Sequence, residues 1–152
     1  MGKKSKKKGP DYHDADLILK LYDLRREAVM RESRNAINAK FWPHSYEDVV
    51  AVTKGDNPLN APYRQTSTYW EMVYGMARNG IVDPDYLVEN NGEGLFLFAK
   101  VLPYLAQLRK DFSPLVYQNA EWIATKSKEG RKRFEFIQAR VKKVLEEKSK
   151  AQ

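Results

Sequence analysis

The stretch Ser67-Thr68-Tyr69-Trp70-Glu71-Met72-Val73-Tyr74-Gly75-Met76-Ala77-Arg78-Asn79-Gly80 decides the fold. Trp70, Val73 and Ala77 fall at i, i+3 and i+7, and Tyr69, Met72 and Met76 repeat that spacing one step round. A helix apolar on two sides belongs at the centre of a helical domain. Glu71, Gly75 and Arg78 share the narrow face that remains, and Gly75 leaves room there for close approach of another helix. Gly80 stands where a left-handed C-cap is wanted, with Ile81 as its hydrophobic contact.

Upstream of this stretch, the pattern predicts one helix from Asp14 to Lys40, roughly 40 Å long at the usual rise. Leu17, Leu21, Leu24 and Ala28 form its stripe, with Ile18 and Val29 beside it, and Glu27 and Arg31 suit an i,i+4 pair on the exposed side. Ser45 to Asp48 resembles a capping box that opens a short helix carrying Val49, Val50 and Val52. The stretch from Lys54 to Pro62 reads as a loop.

Downstream, Asp83-Pro84 supplies an N-cap and a proline at the first helical position. Glu93 to Arg109 reads as a helix that Pro103 kinks or splits near Val101. Ser113-Pro114 reads as the cap of a helix bearing Leu115, Ala120, Trp122 and Ile123, and the last helix runs from Arg131 to about Lys148. No stretch alternates well enough to argue for a sheet. The expected fold is all-α, a single irregular bundle of about six or seven helices over residues 11–148, behind a disordered Lys-rich tail over residues 1–10.

The 152 residues suffice for one domain with a real core. No cysteine is present, which excludes disulfides, thiolate zinc sites and a cysteine nucleophile. The longest apolar run, Leu95 to Leu108, is too short for a membrane span, and no apolar segment of signal-peptide type follows the N-terminal lysines. A cytoplasmic protein is the expectation. The net charge of +7 is concentrated at the ends. Lys3, Lys4, Lys6, Lys7 and Lys8 make a basic head, and from Lys126 onward ten Lys and Arg stand against four Glu, leaving an acidic middle. Basic ends of this kind are candidate contacts for nucleic acid or an anionic membrane, or else solubilising tails. The candidate polyanion contacts are the five head lysines with Lys126, Lys128, Arg131, Lys132 and Arg133.

Catalytic signatures are few. His13 and His44 are the only histidines, and neither has a partner at metal-ligand spacing. No nucleophile elbow or dinucleotide fingerprint is present, so neither a catalytic residue, a metal nor a cofactor is assigned. Glu71 stands out because a carboxylate on the most buried helix must be paired or hold a raised pKa. It reads either as a structural ion pair with Arg78 or Arg64, or as a ligand-binding carboxylate working with Arg78. Glu93, Lys100 and Arg109 line the less apolar side of their helix, and Arg109 reads as a tie between helix ends. The aromatic residues fall mostly at core spacing and are not interleaved with basic residues as a base-stacking platform requires.

The segments Leu21 to Arg26, Phe41-Trp42-Pro43, Tyr69-Trp70-Glu71 through Asp83, and Val101 to Leu105 with Arg109 resemble a group of uncharacterised all-helical bacterial proteins. The resemblance spans roughly residues 17–125 and implies a helical fold with no known activity. Three functional expectations follow. The first is a non-enzymatic interaction protein, an accessory subunit with a protein partner. The second is nucleic-acid or anionic-membrane binding through the basic ends. The third is a small-ligand binder or enzyme built on Glu71 and Arg78.

Overall fold

The structure, a computed structural model, describes residues 9–152. The head lysines Lys3 to Lys8, and all but the last two residues of the disordered tail expected over residues 1–10, lie outside the described residues. Among those described the chain is all-α, with nine α-helices and one 3-10 turn where about six or seven helices were expected. They are α1 (Tyr12–Arg26), α2 (Ala28–Lys40), α3 (Tyr46–Val52), α4 (Asn60–Arg78), α5 (Pro84–Asn90), α6 (Gly94–Val101), α7 (Leu105–Asp111), α8 (Gln118–Lys126) and α9 (Lys128–Lys150).

Helix α4 is the central element. It packs on α2 along one side and on α8 along the other. Tyr69, Trp70, Val73, Tyr74 and Ala77 are buried, whereas Met72 is exposed, so the buried face is a single broad one. The tyrosine hydroxyls on it find backbone acceptors: Tyr74 donates to the Asn91 carbonyl at 2.9 Å and Tyr69 to the Leu21 carbonyl at 2.7 Å. The helix starts at Asn60, seven residues before the periodic stretch. Asn60 is buried and its side-chain Nδ2 donates to the Val52 carbonyl, while Pro62 sits in the first turn, where its missing N–H costs nothing. Gly80 takes φ 73°, and the Ile81 amide returns to the Met76 carbonyl at 2.8 Å, the bond of a Schellman motif. Val82, not Ile81, makes the buried contact beyond that cap.

The long first helix of the sequence reading is two. Glu27 adopts φ −56°, ψ 145°, and its carboxylate accepts from the Val29 and Met30 amides at 3.0 Å each. A side chain used as an N-cap competes with helix continuation, so the chain turns there. Leu24 and Val29, expected in or beside the core stripe, are exposed at this break.

Asp14, buried near the start of α1, accepts from the Asp83 amide at 2.9 Å and so joins the first turns of α1 and α5. The Ser45–Asp48 capping box is formed as expected. Pro103 divides its helix, with α6 ending at Val101 and a 3-10 turn over Leu102–Tyr104 leading into α7. Ser113-Pro114 does not cap α8. Tyr117 intervenes in the left-handed region at φ 54°, which a right-handed helix cannot continue through, and Leu115 is left exposed.

Helix α9 starts at Lys128, capped by the Ser127 hydroxyl, and lies across α5, α6 and α8. It sits close because Gly130 is in contact with α8. A Cβ built there would fall 2.1 Å from the Ile123 carbonyl oxygen. Val141 is buried, and Phe134 packs on Phe98 with ring centroids 5.3 Å apart.

Candidate functional site

Glu71 and Arg78 both face α8, yet they do not pair. The Glu71 carboxylate accepts from the Asn119 amide at 3.1 Å and the Ala120 amide at 2.8 Å, the free donors at the start of α8. The ion pair expected with Arg78 or Arg64 is thus replaced by a cap supplied from another helix. Burial raises the Glu71 pKa, while the two amide bonds act in the opposite direction. Arg78 is exposed and reaches only the Asn119 side chain, at 3.5 Å. The space beside Glu71 is a pocket of about 180 Å³ lined by Tyr63, Thr68, Val116 and Tyr117, and Arg78 is not in its wall. Gly75 does what its place on this face suggested. A Cβ there would lie 2.9 Å from the Asn119 side-chain Nδ2, so the glycine lets α8 approach.

The basic candidates of the C-terminal part spread over several tasks. The Arg131 guanidinium donates to the Thr125 carbonyl at 3.2 Å, at the C-terminal end of α8. Arg133 donates to the Glu89 carbonyl at 3.2 Å, at the end of α5. Both place a cation where a helix dipole is negative. Lys126, Lys128 and Lys132 are exposed.

Arg109 ties helix ends as expected. It donates to the Val116 carbonyl at 3.0 Å and to both Glu121 oxygens at 3.2 Å. Glu93 and Lys100 depart from the reading. Glu93 is held by the Arg34 guanidinium and by Asn38 from α2. Lys100 does not line a polar side but is wholly buried, at 0 % exposure. Its ammonium donates to the Ile37 carbonyl at 3.1 Å and stands 3.9 Å from the centre of the Trp42 ring and 4.9 Å from that of Phe96. Burial, with Lys148 nearby, brings its pKa down to about 7. The spacing in Leu-Phe-Leu-Phe-Ala-Lys-Val carries the only hint, since every other residue of that run is apolar.

A further feature was not visible in the periodicity. Tyr12, Leu19 and Tyr22 are 95 %, 67 % and 48 % exposed. They stand at i, i+7 and i+10, hence on one broad face of α1, while Asp14 and Leu21 are buried on the other and Ile18 is buried at the boundary beside Tyr22. Two arginines, Arg25 and Arg26, lie 5.4 and 5.6 Å from the Tyr22 ring.

These features define an all-α protein whose buried ionisable groups mostly cap and join helices. The chain belongs to the family described as a domain of unknown function, DUF4760, whose model matches residues 11–127. Helix α9 lies beyond the matched residues. No curated protein and no solved structure matches the chain. Among the described residues, no helix is long and apolar enough to cross a membrane, and no group of three or more His, Asp or Glu could hold a metal ion.

Proposed function

We propose that this protein is a non-enzymatic interaction protein, an accessory subunit that docks on a protein partner through the outward face of α1. The observation that carries this reading is the exposure of Tyr12, Leu19 and Tyr22 in one stripe. Single exposed apolar residues are ordinary, but an aligned set on an element already buried on its opposite face is a surface awaiting a partner. Leu24 and Met72 are also exposed, but they border a separate depression of about 400 Å³ on another side of α1, where it breaks into α2. An amphipathic helix laid along α1 would cover the stripe, with its anchors spaced to match. Tyr12 and Tyr22 suit such an interface because they add large contact area with a polar tip.

The test is site-specific photo-crosslinking from position 19 in the native host, followed by identification of the adduct. One dominant protein adduct that disappears in a Tyr12→Ser, Tyr22→Ser chain supports the reading. Scattered weak adducts that the double change leaves unaltered would refute it. An adduct of twice the chain mass would mean that the partner is a second copy of this protein.

A further inference from the structure

We propose that the cleft between α9 and the α5–α6 turn binds a small planar aromatic anion of mononucleotide size. This inference does not rest on the α1 docking reading, although Arg25 of the cleft rim also packs on Tyr22 of that face.

The cleft measures about 670 Å³, within the range of small-molecule sites. Its aromatic wall is Trp42 with Phe96, their ring centroids 5.6 Å apart in edge-to-face contact. That wall is fixed before any ligand arrives. The Trp42 indole N–H donates to the Asn38 carbonyl at 3.1 Å. The buried Lys100 ammonium stands against both rings and is itself tied to the Ile37 carbonyl. An aromatic surface held in this way costs little entropy to use. Ile137 and Val144 add an aliphatic side to the lining.

The rim is positive. Arg25, Arg133 and Arg140 line it, and the Lys148 ammonium stands 5.7 Å from the Trp42 ring centre. Of the two acidic residues in the lining, Glu93 is neutralised by Arg34, which leaves Glu89 against the three arginines. Arg133 is held in place by the Glu89 carbonyl. Arg140 is exposed and makes no hydrogen bond or ion pair among the described residues, so its guanidinium is available. Arginine presents a planar fork to phosphate or carboxylate and also stacks on rings. A flat ring against Trp42 with an anionic group toward Arg25 and Arg140 satisfies both halves of the cleft.

The experiment is a two-dimensional NMR titration of the intact chain, reading the three tryptophan indole N–H signals, with Trp42 assigned by its loss in Trp42→Phe. The probes are AMP, adenosine and inorganic phosphate. The expected result is a saturable shift of the Trp42 signal with AMP, weakened at least tenfold in Arg140→Ser and in Arg25→Ser. Both arginine changes are on the rim, and unchanged Trp70 and Trp122 signals show that the fold is kept. A Trp42 signal that AMP leaves unmoved at millimolar concentration overturns the proposal. So does a shift of equal affinity with phosphate alone, which would mean an adventitious ion only, or with adenosine alone, which would remove the anionic half of the site.

Discussion

Glu71 Oε1 accepts a hydrogen bond from the Ala120 amide at 2.8 Å, so a side chain of α4 caps a helix 49 residues further along the chain. Tyr117, at the N-cap position of α8, supplies no side-chain cap of its own. The Glu71→Ala change leaves two part-buried amides without an acceptor. It should cost about 1.5–3 kcal/mol, the range for hydrogen bonds to a charged partner. Glu71→Gln keeps one acceptor oxygen and should cost about half as much. Urea unfolding of the two variants checks the order.

Two glycines set the distance between neighbouring helices, and they should respond differently. At Gly75 the obstacle is the Asn119 side chain, which can move. Gly75→Ala is therefore expected to cost about 1–2 kcal/mol, partly recovered when Asn119→Ala is added. At Gly130 the obstacle is the Ile123 carbonyl, which cannot move without shifting α8. Gly130→Ala should cost about 3 kcal/mol or more, with no single side-chain change that restores it. Thermal midpoints of the two single changes and the double change decide between these behaviours.

Lys100 makes stability depend on pH in a definite direction. An unfolded lysine titrates at about 10.4, whereas burial holds this one at about 7. Between those values the unfolded chain carries a proton that the folded chain has shed, so stability rises with pH across the window. It is level above the window, and the full cost is present below pH 7. The amplitude is at most about 4–5 kcal/mol, since the Trp42 ring face and the Ile37 carbonyl also favour the ammonium. Lys100→Met should raise stability at pH 7 and flatten the profile. Denaturation midpoints from pH 6.5 to 10 in both proteins test this, and a rise of equal size in Lys100→Met would assign the effect to another group.

The matched family segment should not be self-sufficient. Phe134 and Ile137 of α9 pack against the core, Phe134 on Phe98. A chain ending at Ser127 exposes that surface and is expected to bind a hydrophobic dye and to lose its sharp thermal transition. Retention of a cooperative transition near the intact midpoint would show that α9 is an appendage.

The all-helical class was legible because the apolar spacing of Tyr69 to Ala77 is strong and because Asp83-Pro84, Ser45–Asp48, Gly80 and Pro103 are local signals that act where they stand. Gly75 was legible too, as the gap that another helix would fill. The break at Glu27 was not, since glutamate favours helix interiors and only its folded conformation makes it a cap. The left-handed Tyr117 carries no sequence signature at all. The partner of Glu71 was out of reach for another reason. Nothing local distinguishes a carboxylate that meets an arginine from one that meets the backbone of a distant helix. Lys100 was misplaced because long basic side chains normally extend to solvent, and its cage is assembled from Ile37 of α2, Trp42 in the segment after α2, and Phe96 of α6.

The lysine inside that cage also makes folding an acid-releasing reaction near neutral pH. Each molecule that unfolds between pH 7 and 10 should draw up to about one proton from the medium, and each that refolds should return it. The heat of unfolding must then include the ionisation heat of whatever buffer supplies the proton. Calorimetric enthalpies measured in phosphate and in Tris at the same pH and midpoint should disagree, and the size of the disagreement counts the protons.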